Sequence, residues 1–214
     1  MRRLIHLMLS PSCRLARLMV GEKRVTCDPK LSEDPKNPMP VFVDMDGTSV
    51  EGVWAILDHL EHHYRDHPLA PADDAARRSA LRWVDWAMGP FHEQVTQRIV
   101  YEKAAPKYTG AGFSRAPDMN VIRAGREELK IALAAIGKAA ETNGNLACRE
   151  PTLGDLAVAA HLSSLDYFGE VPWHDFAAAN EWYVRMKSRP AFRSILSDRV
   201  PGQPPVSHYA ELDF

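Results

Sequence analysis

The chain has 214 residues, 45% hydrophobic and 25% charged, enough for one mid-sized domain or two small ones with a real core, and whole-chain disorder is excluded. Lys and Arg total 26 against 28 Asp and Glu, a formal net charge of -2, which lacks the broad basic footprint of a nucleic-acid binder. No stretch approaches the roughly 18 uninterrupted apolar residues of a membrane span. Three widely spaced cysteines, Cys13, Cys27 and Cys148, give neither a disulfide framework nor a zinc site, so a reducing cytoplasm is expected. Met1-Arg2-Arg3 before an apolar run has the outline of a secretion signal, but the run is short, is broken by His6 and leads into an amphipathic helix.

The first third reads β-α-β-β-β-α. Residues 4–9 form an apolar run of strand length closed by Ser10-Pro11. Ser12 is placed to cap a helix bearing Leu15, Leu18 and Met19, with Gly21 at its expected C-terminal stop. Val25-Thr26-Cys27 is the expected second strand, and Asp28 to Pro38, with three prolines, the expected loop. Val41-Phe42-Val43 is a third strand, and Asp46-Gly47 turns into a fourth at Thr48-Ser49-Val50. A helix follows from about Val53 to His63.

Residues 64–72, with Pro68 and Pro71, read as a linker, and beyond it the chain is helical. Asp73 or Asp74 starts a long helix lined by Trp83, Trp86, Phe91, Val95 and Ile99, in which Pro90 should place a kink. Residues 104–117 are the expected loop, and Asp118 caps a helix ending near Asn143-Gly144. Thr152 and Asp155 form a capping pair opening a largely apolar helix, the kind buried in the middle of a bundle. Shorter helices are expected over 176–187 and 190–196, then an aperiodic tail over 200–214.

An α/β unit, a proline linker and an all-α unit, carrying Ser10-Pro11-Ser12-Cys13-Arg14, Met39-Pro40-Val41 and Pro151-Thr152-Leu153-Gly154-Asp155, resemble the glutathione transferase superfamily. The resemblance implies a thioredoxin-like domain over 1–67, with its second helix missing, a helical bundle over 73–198 and an extended tail over 199–214. It also implies a cis peptide before Pro40, and a homodimer built through the superfamily's third and fourth helices, where Trp54, Trp83 and Trp86 supply aromatic area. The C-terminal segments, ending His208-Tyr209-Ala210-Glu211-Leu212-Asp213-Phe214, narrow the resemblance to the FtsZ-binding, glutathione-transferase-like division proteins of alphaproteobacteria. That branch implies FtsZ as partner, a cytoplasmic location at the division site, and a tail (His208, Tyr209, Glu211, Leu212, Asp213 and Phe214) that contacts FtsZ directly or holds the surface that does, while the fold is indifferent to it.

Two departures bear on chemistry. The superfamily's glutathione site uses a second helix, for which only about a dozen residues remain between Thr26 and Pro40. It also uses an acidic residue followed by Ser at a helix N-terminus, where this chain reads Glu51-Gly52-Val53 without the hydroxyl. Ser10 is the thiol-site candidate if the chain is a transferase, with Met39, Pro40 and Glu51 as the remaining substrate-site candidates, but Ser10 equally fits a helix cap. Cys13 lies in the first helical turn, where a dipole lowers a thiol pKa, yet its position is normally buried and inert. His59, His63 and His67 share a helical spacing that suits a metal, but no Cys or clear carboxylate completes a set, so a solvated helix end is the expectation. Arg185, Lys187, Arg189 and Arg193 form a basic cluster, read as a solvated face or a meeting point for an acidic partner. No metal, membrane span or nucleic-acid partner is expected, and no cofactor, with glutathione the one candidate. Three functions compete: a non-catalytic FtsZ-binding regulator, a serine-type glutathione transferase, and a scaffold for another ligand.

Overall fold

The computed structural model describes residues 1–34, 37 and 39–212. Its first unit contains β1 (Arg3–His6), α1 (Pro11–Glu22), β2 (Asp28–Leu31), β3 (Val41–Val43), β4 (Ser49–Glu51) and α2 (Val53–His63). The sheet order is β2-β1-β3-β4, with β2 parallel and β3 antiparallel to β1, and β4 antiparallel to β3. Leu4 lies opposite Phe42, and this pair buries the inner face against the core while Ile5 and Val41 take the other face. The Met39–Pro40 peptide is cis. Among the described residues, no helix lies between β2 and β3.

Two local expectations fail for one reason. α1 does not stop at Gly21. It runs to Glu22 and closes with Arg24 N–H on the Gly21 carbonyl (3.0 Å) and Val25 N–H on the Val20 carbonyl (3.1 Å). This double closure places Arg24, at φ 55°, in the left-handed position that usually takes glycine. Val25 is consumed by the closure, so the second strand starts at Asp28, inside the expected loop. Gly21 is small because a Cβ there would stand 2.8 Å from that of Ala191. The glycine marks a close crossing rather than a helix end.

The second unit begins with α3 (Asp74–Trp86), capped by the Asp73 carboxylate on the Ala76 N–H at 2.8 Å. A π-helical stretch, Ala87–Thr96, joins it to α4 (Gln97–Lys103). Pro90 sits inside that stretch, where the wider turn takes up the missing N–H that would have kinked a regular helix. The expected loop after it contains one helical turn, α5 (Pro106–Thr109). Then come α6 (Met119–Asn143), α7 (Leu153–Tyr167), α8 (Ala177–Lys187), a 3₁₀ turn at Pro190–Phe192 and α9 (Arg193–Leu196). A last 3₁₀ turn, Ser207–Ala210, forms where no regular structure was expected.

All fifteen residues of α7 are buried. Its N-terminus is fixed by Asp155, whose carboxylate accepts the Thr152 N–H (2.8 Å) and hydroxyl (2.9 Å), the Leu146 N–H (2.9 Å) and the Trp182 indole N–H (2.9 Å). One side chain thus ties the α6–α7 loop, the start of α7 and α8. Removing it strands several buried donors, each costing about 1–3 kcal/mol. In urea, Asp155→Ala should lose roughly 3–5 kcal/mol, a sum of such penalties. The exposed cap variant Asp73→Ala should lose only about 1 kcal/mol. Equal losses for the two would overturn this account of α7.

Candidate functional site

Ser10 closes β1 and precedes α1. It is buried, and its side chain makes no capping bond. The backbone beside it is clamped on both sides: the Leu9 N–H donates to the Tyr108 carbonyl (2.8 Å), and the Ser164 hydroxyl donates to the Leu9 carbonyl (3.1 Å). The Ser10 hydroxyl is turned toward Cys13. Cys13 is fully buried, and desolvation pushes its thiol up to about 11, so burial defeats the helix dipole that would have lowered it. The thiol position is a closed part of the core.

At the position of the superfamily's carboxylate-gripping serine the backbone favours glycine, although the space beside it is open. Gly52 caps α2 at φ 83° and ψ 159°, a region open essentially to glycine alone. Its N–H is already donated to the Pro40 carbonyl at 2.8 Å. The serine that would grip a carboxylate is excluded here by conformation as well as by sequence. Pro40 is buried and Met39 half-buried; Glu51 is exposed and pairs with Val41 across the sheet.

The histidine face keeps two of its three members: the rings of His59 and His63 lie 4.4 Å apart, and His67 leaves it. α2 ends at His63, and His67 lies beyond it with φ 55°. His59 is buried and bonded to Asp44 at 2.8 Å. Tyr64 and Arg2 also donate to Asp44. Burial favours the neutral acid, but the hydrogen bonds from Tyr64, His59 and the Met45 N–H, with the Arg2 charge, hold Asp44 down at about 2. Among the described residues no group of three potential metal ligands occurs. The basic cluster is largely consumed within the chain. Arg189 forms a two-point bridge with Glu22 (2.6 Å each), Arg185 caps the Gly144 carbonyl (2.7 Å), and the Lys187 ammonium is buried 3.5 Å from Asp166.

The tail corrects the expectation that the fold ignores it. Tyr209 is fully buried, its hydroxyl donating to the Ile195 carbonyl at 3.2 Å, so its ring is a core side chain rather than a surface anchor. His208 is half-buried, with Nε2 3.7 Å from Asp166. Glu211 and Leu212 are exposed. Asp213 and Phe214 lie outside the described residues. Sequence reasoning also missed the partner of this anchor: Arg14, fully buried on α1, bonds Asp198 (3.3 Å) together with Arg17 (2.8 Å). Two arginines within an otherwise apolar helix were the available signal.

No protein-family model matches the chain. It is 39% identical to FtsZ-localized protein A of Caulobacter vibrioides over 227 aligned positions, covering all of this chain and 98% of that one. The solved structure of FzlA from C. crescentus superposes with a TM-score of 0.92 at 38% identity, covering 100% of this chain and 99% of that one. The chain belongs to the FzlA family of glutathione-transferase-fold proteins. A solved glutathione S-transferase from Rhodospirillum rubrum F11 is similarly close, with a TM-score of 0.93 and 36% identity over the full length of both chains. The FzlA-family fold is thus shared at this distance by proteins carrying either name, and the site must speak for the function.

Gly52→Ser tests whether the missing hydroxyl is a simple loss. Restoring it should destabilise the FzlA-family chain by about 1–3 kcal/mol through backbone strain, without creating glutathione affinity. Titration calorimetry showing new glutathione binding would contradict this. Cys13 should resist a thiol reagent at pH 8 until the protein is unfolded; labelling in the native state would show that the thiol position opens.

Proposed function

We propose that this protein is a non-catalytic regulator of cell division that binds FtsZ in the cytoplasm, at the division site, as a homodimer. The observation that carries the reading is the chain's 39% identity along its length to an FtsZ-localized protein, supported by a buried Ser10 and by a glycine, Gly52, in place of the superfamily's serine. No helix of the described residues is long and apolar enough to cross a membrane. The exposed end of the tail supplies the partner-facing chemistry: Glu211 and Leu212, followed by the acidic and aromatic Asp213 and Phe214. A basic groove on FtsZ would read that combination of charge and apolar area.

The dimer reading rests on an apolar groove of about 500 Å³ between α3 with its π-helical extension and α6, lined by Trp83, Trp86, Phe91, Ile131 and Leu146. Ile131 is 67% exposed there, and Trp54 on α2 is 46% exposed. A second copy that brings Trp54 to this groove would bury both patches by one two-fold operation. Light scattering at micromolar concentration should give twice the 24.0 kDa chain mass. Ile131→Glu should return the monomer mass; a monomer mass for the unaltered protein would remove the dimer from the proposal.

Co-pelleting with FtsZ polymers tests the partner. Asp213→Lys should weaken it about tenfold, equivalent to about 1.4 kcal/mol. Deleting 211–214 should weaken it at least as much, with no change in melting temperature. Deleting 208–214 should also lower stability, because it removes the buried Tyr209. Unchanged co-pelleting for both tail variants would refute the tail reading, and glutathione turnover with an aryl halide, abolished by Ser10→Ala, would replace it with the transferase reading.

A further inference from the structure

The tail is held from inside the fold. Arg14 rises from α1 into a site where its guanidinium is fully buried, donating to the Met8 carbonyl (2.9 Å), the Ser163 hydroxyl (2.9 Å) and Asp198 (3.3 Å). Its central carbon stands 5.8 Å from the ring centres of both Tyr167 and Tyr209, which pack edge to face at 5.1 Å. A desolvated cation between two aromatic rings is a strong and directional contact. Arg17 grips both oxygens of the same Asp198 at 2.8 and 3.0 Å, so two guanidinium groups share one carboxylate.

The approach to Tyr209 is fixed at every step. The Tyr167 hydroxyl receives the Val200 N–H and donates to the Gln203 carbonyl, each at 2.8 Å. The Gln203 amide donates to the Lys103 carbonyl at 2.8 Å, and the Val206 N–H to the Tyr167 carbonyl at 3.2 Å. Gly169, at φ 67°, lets Val206 approach where a Cβ would stand 2.8 Å from its methyl group. The buried Lys187 ammonium donates to the His208 carbonyl at 3.4 Å. Tyr209 is the one buried residue among 201–212; His208 beside it is half-buried, and Ser207 and Ala210 are exposed.

We infer that Arg14 and Tyr209 are positioning residues that set the pose of the C-terminus, so that residues 206–210 anchor and residues from 211 onward are presented. The inference rests on the FtsZ-binding reading for its functional consequence. Neither residue has surface to offer a partner: Tyr209 acts through the tail, and Arg14 both holds Tyr209 and ties α1 to Ser163 and Asp198. An end anchored two residues before it is read has lost much of the freedom that a free terminus would give up on binding.

The test combines amide exchange with FtsZ co-pelleting on the full chain. Tyr209→Ala should speed exchange of amides 206–212 at least tenfold, leave α6 and α7 unchanged, and weaken co-pelleting as much as deletion of 211–214. Tyr209→Phe, which keeps the ring against Arg14, should stay within twofold of the parent in both measurements. Arg14→Met should also speed exchange of amides 206–212, together with amides of α1 and α7 whose bonds through Asp198 and Ser163 it removes, and if either variant fails to fold, Tyr209→Leu takes its place. Unchanged tail exchange in Tyr209→Ala would overturn the anchor. Faster exchange with full co-pelleting, where deletion of 211–214 does weaken it, would overturn the positioning role. Full co-pelleting by the deletion itself would leave the anchor standing and refute the tail reading instead.

Discussion

Asp198 is the carboxylate on which the two halves of the molecule agree. It follows α9, at the far end of the helical unit, and is gripped by Arg14 and Arg17, both from α1 of the sheet unit. Burying three charges costs several kcal/mol per ion unless hydrogen bonds satisfy them, and that requirement makes the arrangement all or none. α1 cannot shift against α7 and α9 without stranding a guanidinium. His6 borders the same site, and burial, then the Arg17 charge, holds its pKa down at about 4, so it adds no third cation near neutral pH. The interaction confers register more than net stability: it fixes where the sheet unit, the helical unit and the chain end meet.

That fixed register separates the fold from the chemistry its relatives are named for. The start of α1, where a thiol would be activated, is clamped by Tyr108 and Ser164 and lies inside the core. Its outward connections run through Arg14 to the opposite side of the chain. Here α1 spends its one fully buried guanidinium on Met8, Ser163, Asp198 and the ring of Tyr209. Fold-level likeness to a transferase therefore says little about activity, and the burial of Ser10 and the backbone of Gly52 say more.

The architecture was legible wherever a local pattern had one cause. α2 was read to the residue, because Gly52 and the His63–Tyr64 end punctuate a clean apolar stripe. Thr152 and Asp155 announced α7 through a motif whose partners are three residues apart. Legibility failed where a residue answered to something distant in sequence. Gly21 answered to Ala191, Tyr209 to Arg14 and Tyr167, and His59 to Asp44. The basic cluster failed for the same reason, since Glu22 and Asp166 lie far from Arg189 and Lys187 in the chain. The site was legible as a set of residue types, but the burial of Ser10 was not, because burial is a property of the packed whole.

The sheet order has a consequence for crowding. Its edges are β2 and β4, four and three residues long, and neither makes a good template for another strand. β2 reads Asp-Pro-Lys-Leu: a proline interrupts its donors, and charges flank it. β4 ends in the exposed Glu51. Short, charged, proline-broken edges suppress strand-to-strand association between molecules. Wherever copies of a chain are crowded, an open sheet edge is the first place for them to stick. Edges of this kind let crowded copies touch and still come apart.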